Sequence, residues 1–315
     1  MPAVSVILPF YNRIATLARC VDSVLAQTFA DWELVAVDDA STDGGAAMLE
    51  ARGDPRIRIV RHEVNRGAGA ARDTAMQAAR GAYFALLDSD DEWLPGKLAA
   101  QMDALRRAGE TAALSACSYE FIRDGRTIVW PKPFDPTAWE RSLHRECTFG
   151  FGTTLVIRRD VAQQLGGFDP DLPRHEDWDW VLRAFVKGET LAFVPETLAR
   201  VYCSAPPPLD SFITSTQRFL VKHTASFAKF GDKHRRRVVA YHYESVASIA
   251  YEQRAFARGH RFLLRSFSTW PWRSPLPLAA LPLGAVDAVC GTRLIQRAAA
   301  IRRAMFGRKL DAEVA

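Results

Sequence analysis

Three carboxylates stand within four positions at Asp88, Asp90 and Asp91, directly behind the apolar run Phe84-Ala85-Leu86-Leu87. Buried strands end this way where their last residues emerge at a polar site. Continued strand alternation would set Asp88 and Asp90 on one face. Two carboxylates so close repel each other, and a bound divalent cation relieves the repulsion. All-oxygen donors favour Mg2+ or Mn2+ over zinc, and such a cation is suited to holding phosphates. A solvated acidic turn is the competing reading, because Asp-Ser-Asp-Asp is also good turn chemistry.

Other groups in the chain offer complementary chemistry. Pro9-Phe10-Tyr11-Asn12 follows an apolar run, and a Tyr11 ring at a strand end can stack on a nucleotide base or simply fill a core. Asp39 ends the next apolar run, where it can accept an N–H from a pyrimidine or cap the helix that follows. Asn65-Arg66-Gly67-Ala68-Gly69-Ala70-Ala71-Arg72-Asp73 is a glycine-rich entry to a helix. It suits an anion, with Arg72 adding a cation, but it also suits plain capping and a salt bridge. It is neither the dinucleotide fingerprint nor the phosphate-loop motif. His175-Glu176-Asp177-Trp178-Asp179-Trp180 opens another helix. Carboxylates are favourable at a helix N-terminus, yet an acid held against tryptophan is desolvated and becomes a better base. Arg183 lies where it can pair with one of these acids or with a phosphate.

These residues need a frame that brings them together. Val4–Leu8, Glu33–Val37, Ile57–Val60 and Ala82–Leu87 read as buried strands. Ile14–Gln27, with Leu17, Val21, Val24 and Leu25 at helical spacing, and the Ala-rich Gly67–Arg80 read as helices between them. This alternation predicts a largely parallel sheet covered by helices, with ligands outside the carboxyl ends of the strands. Beyond it, Leu114–Ile122 and Thr127–Trp130 read as a hairpin about Asp124-Gly125-Arg126. Thr153–Ile157 and Leu191–Val194 read as short strands, and Glu176–Val186 as a helix. Ala205-Pro206-Pro207-Pro208 marks a boundary. Phe212–Phe230, Arg235–Arg254 and a basic stretch, Gln296–Met305, read as helices past it.

Composition excludes several classes. The chain has 315 residues, 48% of them hydrophobic and 24% charged, enough for a proper core in one large domain or two modest ones. No run approaches the ~18 apolar residues needed to span a bilayer, and Val4–Phe10 is too short and lacks the basic start of a signal peptide. Five cysteines without CxxC spacing point to reduced thiols and a cytoplasmic setting, and away from structural zinc. Net charge is +5, concentrated from Gly291 onward, where six Lys or Arg meet two acids. That basic region is the expected place for peripheral contact with an anionic membrane. The third strand ends Arg61-His62, where a receiver domain would need its phosphoacceptor Asp.

Taken in order, the motifs resemble glycosyltransferase family 2. Val4–Asn12, Ser23–Phe29 with Trp32–Leu34, Val37–Gly44, the set Asn65, Gly67, Ala71 and Arg72, the Asp-x-Asp of Asp88-Ser89-Asp90, and Gly166-Gly167-Phe168-Asp169 followed by Glu176-Asp177 are similar to its segments over about residues 3–200. One departure is Asp73, where the family often has Asn. The resemblance implies an α/β fold of the GT-A type: Rossmann-like, with a mostly parallel mixed sheet flanked by helices. It is expected over 1–205, with 206–315 a helical C-terminal extension.

It further implies an inverting transfer of a sugar from a nucleotide-diphosphate donor, UDP-linked by default, to a hydroxyl of a saccharide or lipid-linked acceptor. Such chemistry belongs to bacterial surface polysaccharide synthesis. By the same resemblance Pro9, Tyr11, Asn12, Asp39, Arg72 and Asp88 hold the nucleotide. Asp90, with Asp88, holds Mn2+ or Mg2+. Asp177 is the general base, and Glu176, Trp178 and Arg183 line the acceptor side, with Phe149, Phe151 and Trp180 as further walls. No nucleic-acid partner is expected, and the expected location is the cytoplasm, at the inner face of the plasma membrane. A non-catalytic nucleotide-sugar sensor is the alternative, which would need the Asp88 and Asp90 site but not Asp177.

Overall fold

The computed structural model describes residues 1–123, 126–129, 139–145, 150–202 and 206–271. The chain divides into two compact units. One comprises Met1–Ala205 with Gln217–Val221, the other Pro206–Thr216 with Lys222–Ala315.

The first unit begins with β1 (Val4–Phe10), α1 (Ile14–Leu25), β2 (Trp32–Asp38), α2 (Gly45–Glu50), β3 (Ile57–Arg61), α3 (Ala68–Ala78) and β4 (Tyr83–Leu86). β1 and β2 are buried at every position, as continuous apolar runs in parallel sheets are. α1 turns Leu17, Cys20, Val21 and Val24 onto them. β5 (Glu92–Trp93), α4 (Lys97–Ala108), β6 (Leu114–Arg123), β7 (Arg126–Val129), α5 (Trp139–Leu143), α6 (Phe151–Thr154), β8 (Val156–Arg158), α7 (Arg159–Leu165), α8 (Glu176–Val186) and β9 (Leu191–Tyr202) follow.

Among the described residues, one sheet runs in the order β3-β2-β1-β4-β8-β6-β9-β5, with β7 on β6. The first four strands are parallel. Beyond β4 the sheet becomes mixed: β8 is antiparallel to β4 and β6, and β9 is parallel to β6. The carboxyl ends of β1, β2 and β4 share one edge, because Phe10 pairs with Asp38 and Ile7 with Leu86.

Several expectations are corrected. β4 stops at Leu86, and Asp88–Asp91 forms a turn closed by the Asp91 N–H donating to the Asp88 carbonyl (3.0 Å), so strand alternation does not apply there. Residues 151–154 are a helical turn, and the strand expected at 153–157 is confined to Val156–Arg158. β9 reaches Tyr202 rather than Val194, because the register slips between Cys117 and Ser118 and so carries the strand past Pro195. The hairpin's Asp124-Gly125 lies outside the described residues.

The second unit contains most of α9 (Leu209–Lys222), with α10 (Thr224–Ala228), α11 (Asp232–Glu252) and α12 (Phe256–Thr269). Its core gathers Leu209, Val246, Ala247, Ala250 and Phe262. The helix expected over 212–230 is broken at His223, and α12 was not anticipated. The predicted basic helix at 296–305 lies outside the described residues. No helix among the described residues is long and apolar enough to cross a membrane.

Candidate functional site

At the shared edge, short polar side chains lock the loops that leave β1 and β2. Asn12 adopts a positive φ of 51°, its side-chain oxygen accepts from the Thr42 N–H (2.8 Å), and its own N–H donates to the Ser41 hydroxyl (3.0 Å). Asp43 accepts from the backbone of Ile14 and Gly45. Pro9 is buried within β1, whereas Tyr11 stands 46% exposed, an unburied ring beside the edge. Asp39 is buried, and its carboxylate accepts from the N–H groups of Arg66 (2.9 Å) and Gly67 (2.8 Å) and pairs with His62 Nδ1 (2.7 Å). It therefore draws the 62–67 loop, and with it the start of α3, onto the end of β2.

The acidic turn after β4 is braced from several sides. The hydroxyl of Thr16 donates to the Ser89 carbonyl (2.9 Å) and Arg19 to the Asp90 carbonyl (2.6 Å). The Asp90 carboxylate lies 3.5 Å from Arg13. Asp91 is buried, accepting from the Tyr202 N–H (2.9 Å) and the Thr153 hydroxyl. Burial, then the charge of Asp88, raises the Asp91 carboxyl well above the usual range, and the Thr153 bond only partly offsets this. Gly152 leaves room for Asp88: a Cβ there would lie 2.1 Å from its Oδ2.

Arg72 ties this turn to α8. Its guanidinium, 4% exposed, donates to Asp88 Oδ1 (2.6 Å) and to Glu176 Oε1 (2.7 Å). Burial opposes its charge, but Asp88 and Glu176 more than compensate and hold its pKa above the ordinary value. α8 starts at His175, in a left-handed conformation. Asp177, next to Glu176, accepts from the Trp178 N–H (2.7 Å). Burial, then the Glu176 charge, pushes the Asp177 carboxyl up to about 7, with Asp88 adding and Arg72 opposing. A carboxylate so tuned exchanges protons readily near neutral pH.

Asp39, Arg72, Asp88 and Glu176 are thus linked through one loop and one guanidinium, with Asp177 beside them. Other expected site residues have different work. Arg183 binds Asp179 (2.9 Å) and the carbonyls of Leu165 and Gly167, so it braces α8 against the preceding loop and does not line the site. Trp180 is fully buried, stacked on Phe168 (4.9 Å) with its N–H on the Gly166 carbonyl. Trp178 is buried against Phe219 (4.8 Å) and donates to the Leu143 carbonyl. Phe149 lies outside the described residues. Sequence reasoning missed Gly152, Thr153, Arg19 and His62. Their partners at the site are 23 to 71 residues away, and no local pattern signals them.

Among the described residues no three His, Cys, Asp or Glu side chains form a ready metal cage. The donor set fits a hard divalent cation nonetheless. Asp88 and Asp90 offer only oxygen, and beside burial, the larger cause, the negative charge gathered there adds to the rise of the neighbouring Asp91 and Cys20.

The family model "Glycosyl transferase family 2" matches residues 5–166. The chain is 41% identical over 155 residues to the UDP-Glc:alpha-D-GlcNAc-diphosphoundecaprenol beta-1,3-glucosyltransferase WfgD of Escherichia coli, covering 49% of this chain and 60% of that protein. It is 41% identical over 200 residues to the putative teichuronic acid biosynthesis glycosyltransferase TuaG of Bacillus subtilis, covering 63% and 78%. The chain spans about 60% of the length of the first curated relatives it matches. Among solved structures, the mannosyltransferase PcManGT of Pyrobaculum calidifontis, in complex with GDP-Man and Mn2+, superposes with a TM-score of 0.58 at 21% identity. That match covers 96% of this chain and 87% of that one, and it shares the fold.

Proposed function

The chain belongs to glycosyl transferase family 2, with the GT-A fold, and from that premise we propose that it is an inverting glycosyltransferase. It moves a sugar from a nucleoside-diphosphate donor, UDP-linked, to a hydroxyl of a saccharide or lipid-linked acceptor in surface polysaccharide synthesis. The observation that carries this reading is the Arg72 bridge, which joins Asp88 to Glu176 and so sets the raised Asp177 carboxyl beside the acidic turn.

In this mechanism Tyr11 stacks on the base, and Asp39 shapes the base pocket through the loop it holds. Pro9 and Asn12 set the strand end beneath it. Asp177 takes the proton of the acceptor hydroxyl. That oxygen attacks the anomeric carbon as the bond to the diphosphate breaks on the opposite face, so the configuration inverts. Glu176 is engaged by Arg72, which leaves Asp177 as the acid that exchanges the proton with the acceptor. Asp88 and Asp90 would hold Mn2+ or Mg2+, which when bound neutralises charge on the leaving diphosphate. The neighbour solved with Mn2+ and the relative named for UDP-Glc support the cofactor and the donor. A lipid-linked acceptor, as named for the WfgD relative, would place the reaction at the inner face of the plasma membrane.

Asp177→Asn is the decisive variant. It abolishes transfer, by roughly a thousandfold or more if general-base catalysis is lost, and leaves nucleotide binding within about twofold. Turnover retained in the variant would remove Asp177 from the mechanism. A wild type that binds the donor but transfers to no acceptor would favour the sensor.

A further inference from the structure

The two units carry opposite charge. The unit of Pro206–Thr216 and Lys222–Ala315 holds 17 Lys or Arg against seven Asp or Glu, a net +10, whereas the other holds 24 against 29, a net −5. The chain's overall +5 conceals this split.

Within the basic unit, α12 is two-faced. Gly259, Phe262 and Ser266 are buried, and Phe262 belongs to the unit's core. Arg258, Arg261 and Arg265 are exposed in a stripe beside that buried face, and the exposed Arg254 precedes it. Positions 258, 261 and 265 repeat at helical spacing along about 10 Å of axis, at 1.5 Å per residue. Their charge is barely neutralised: Arg258 pairs with Asp210, Arg265 sits over the Phe262 ring (5.4 Å), and Arg261 has no acidic partner among the described residues. Leu264, 51% exposed, lies about 60° round the helix from Arg261 on the side away from Arg258 and Arg265, and half-buried Leu263 and Phe267 continue the apolar side. A stripe of arginines next to an exposed aliphatic side chain, with a Trp at the helix end, is what a helix lying in a bilayer interface needs. A nucleic-acid surface would instead want exposed aromatic platforms, and Leu264 would have no use there.

We propose that α12 docks the protein on an anionic lipid bilayer, with Arg258, Arg261 and Arg265 against lipid phosphates and Leu264 at the acyl boundary. Neither the transfer reaction nor the basic region beyond Gly291 is needed for this. Binding to lipid is read without any sugar donor, so its failure and that of the transferase reading are separable.

The test is flotation of the full chain with vesicles of phosphatidylcholine alone and of equal parts phosphatidylcholine and phosphatidylglycerol, at low and high salt. The wild type floats with the anionic vesicles only, and high salt releases it. At about 1 kcal/mol per basic residue near an anionic surface, each arginine is worth about fivefold, so Arg261→Gln/Arg265→Gln weakens binding roughly 25-fold. Leu264→Asn also weakens it, at unchanged charge. Both variants lie on exposed positions and keep the wild-type melting temperature and nucleotide affinity. Flotation undiminished in the arginine variant, or lost only on Arg302→Gln/Arg303→Gln, would overturn the assignment. Absence of wild-type flotation, or binding to single-stranded DNA in its place, would do the same.

Discussion

Asp177 and Arg72 oppose each other electrostatically, and that opposition sets a measurable pH response. A base must be ionised to accept a proton, and burial with the Glu176 charge keeps the Asp177 carboxyl protonated up to about 7. We therefore expect kcat/KM to rise with pH through an apparent pKa near 7 and to level off above it. The limb moves to higher pH in Arg72→Gln, which removes a nearby positive charge that favours ionisation. A profile flat from pH 5 to 9 would contradict the assignment. Gly152 gives a second test. An added Cβ meets first the end of the Asp88 side chain, which can swing away at little cost to folding but not without leaving Arg72. Gly152→Ala should keep its melting temperature within about 2 °C and lose roughly tenfold in metal-dependent nucleotide affinity. At this scale the sequence pointed to the acids Asp39, Asp88 and Asp90, which the fold sets behind strand ends, and to Asp177 at the start of α8. It was a poor guide to partners. Arg72 looked like a phosphate cation, yet both its terminal nitrogens meet carboxylates, one of them 104 residues away.

Elements were legible where periodicity was strong. β1, α1, β2 and α8 follow runs of apolar residues at strand or helix spacing, and Glu176–Val186 was read to the residue. The failures have physical causes. Thr153, Thr154 and Val156 favour strand by side-chain shape, but residues 151–154 form one helical turn that puts the Thr153 hydroxyl on Asp91. α12 contains Gly259, which weakens a helix by propensity, yet is required where the Tyr251 ring stands 2.9 Å from any Cβ. The loop before α8 supplies this scale's prediction. Asp73 on α3 accepts from the Phe168 N–H (3.1 and 3.2 Å), and burial raises its carboxyl. This bond and the Arg183 contacts fix the loop that leads to Glu176 and Asp177. Asp73→Asn keeps a carbonyl acceptor and should retain activity within about twofold. Asp73→Ala leaves the N–H without that acceptor, a loss of about 1–3 kcal/mol, and should lower turnover and the melting temperature together. Equal behaviour of the two variants would show that the loop is held by other contacts.

At the scale of the whole molecule, one parallel edge gathers residues from three strand ends, α3 and α8, while a separate helical unit carries the excess positive charge. The gathering was foreseeable from strand–helix alternation, because ligands in such sheets collect at the carboxyl ends. The charge division was not, because it appears only when the chain is partitioned by its contacts. Central to the proposed function is that the acidic turn after β4 would receive a nucleoside diphosphate with a divalent cation. The most direct test is calorimetric titration of UDP, GDP and dTDP, each with Mn2+ and with EDTA, into the wild type and Asp90→Ala. We predict binding of UDP with Mn2+, little with EDTA, and loss of at least tenfold in Asp90→Ala. No binding of any nucleotide, or binding indifferent to both metal and Asp90, would contradict the account.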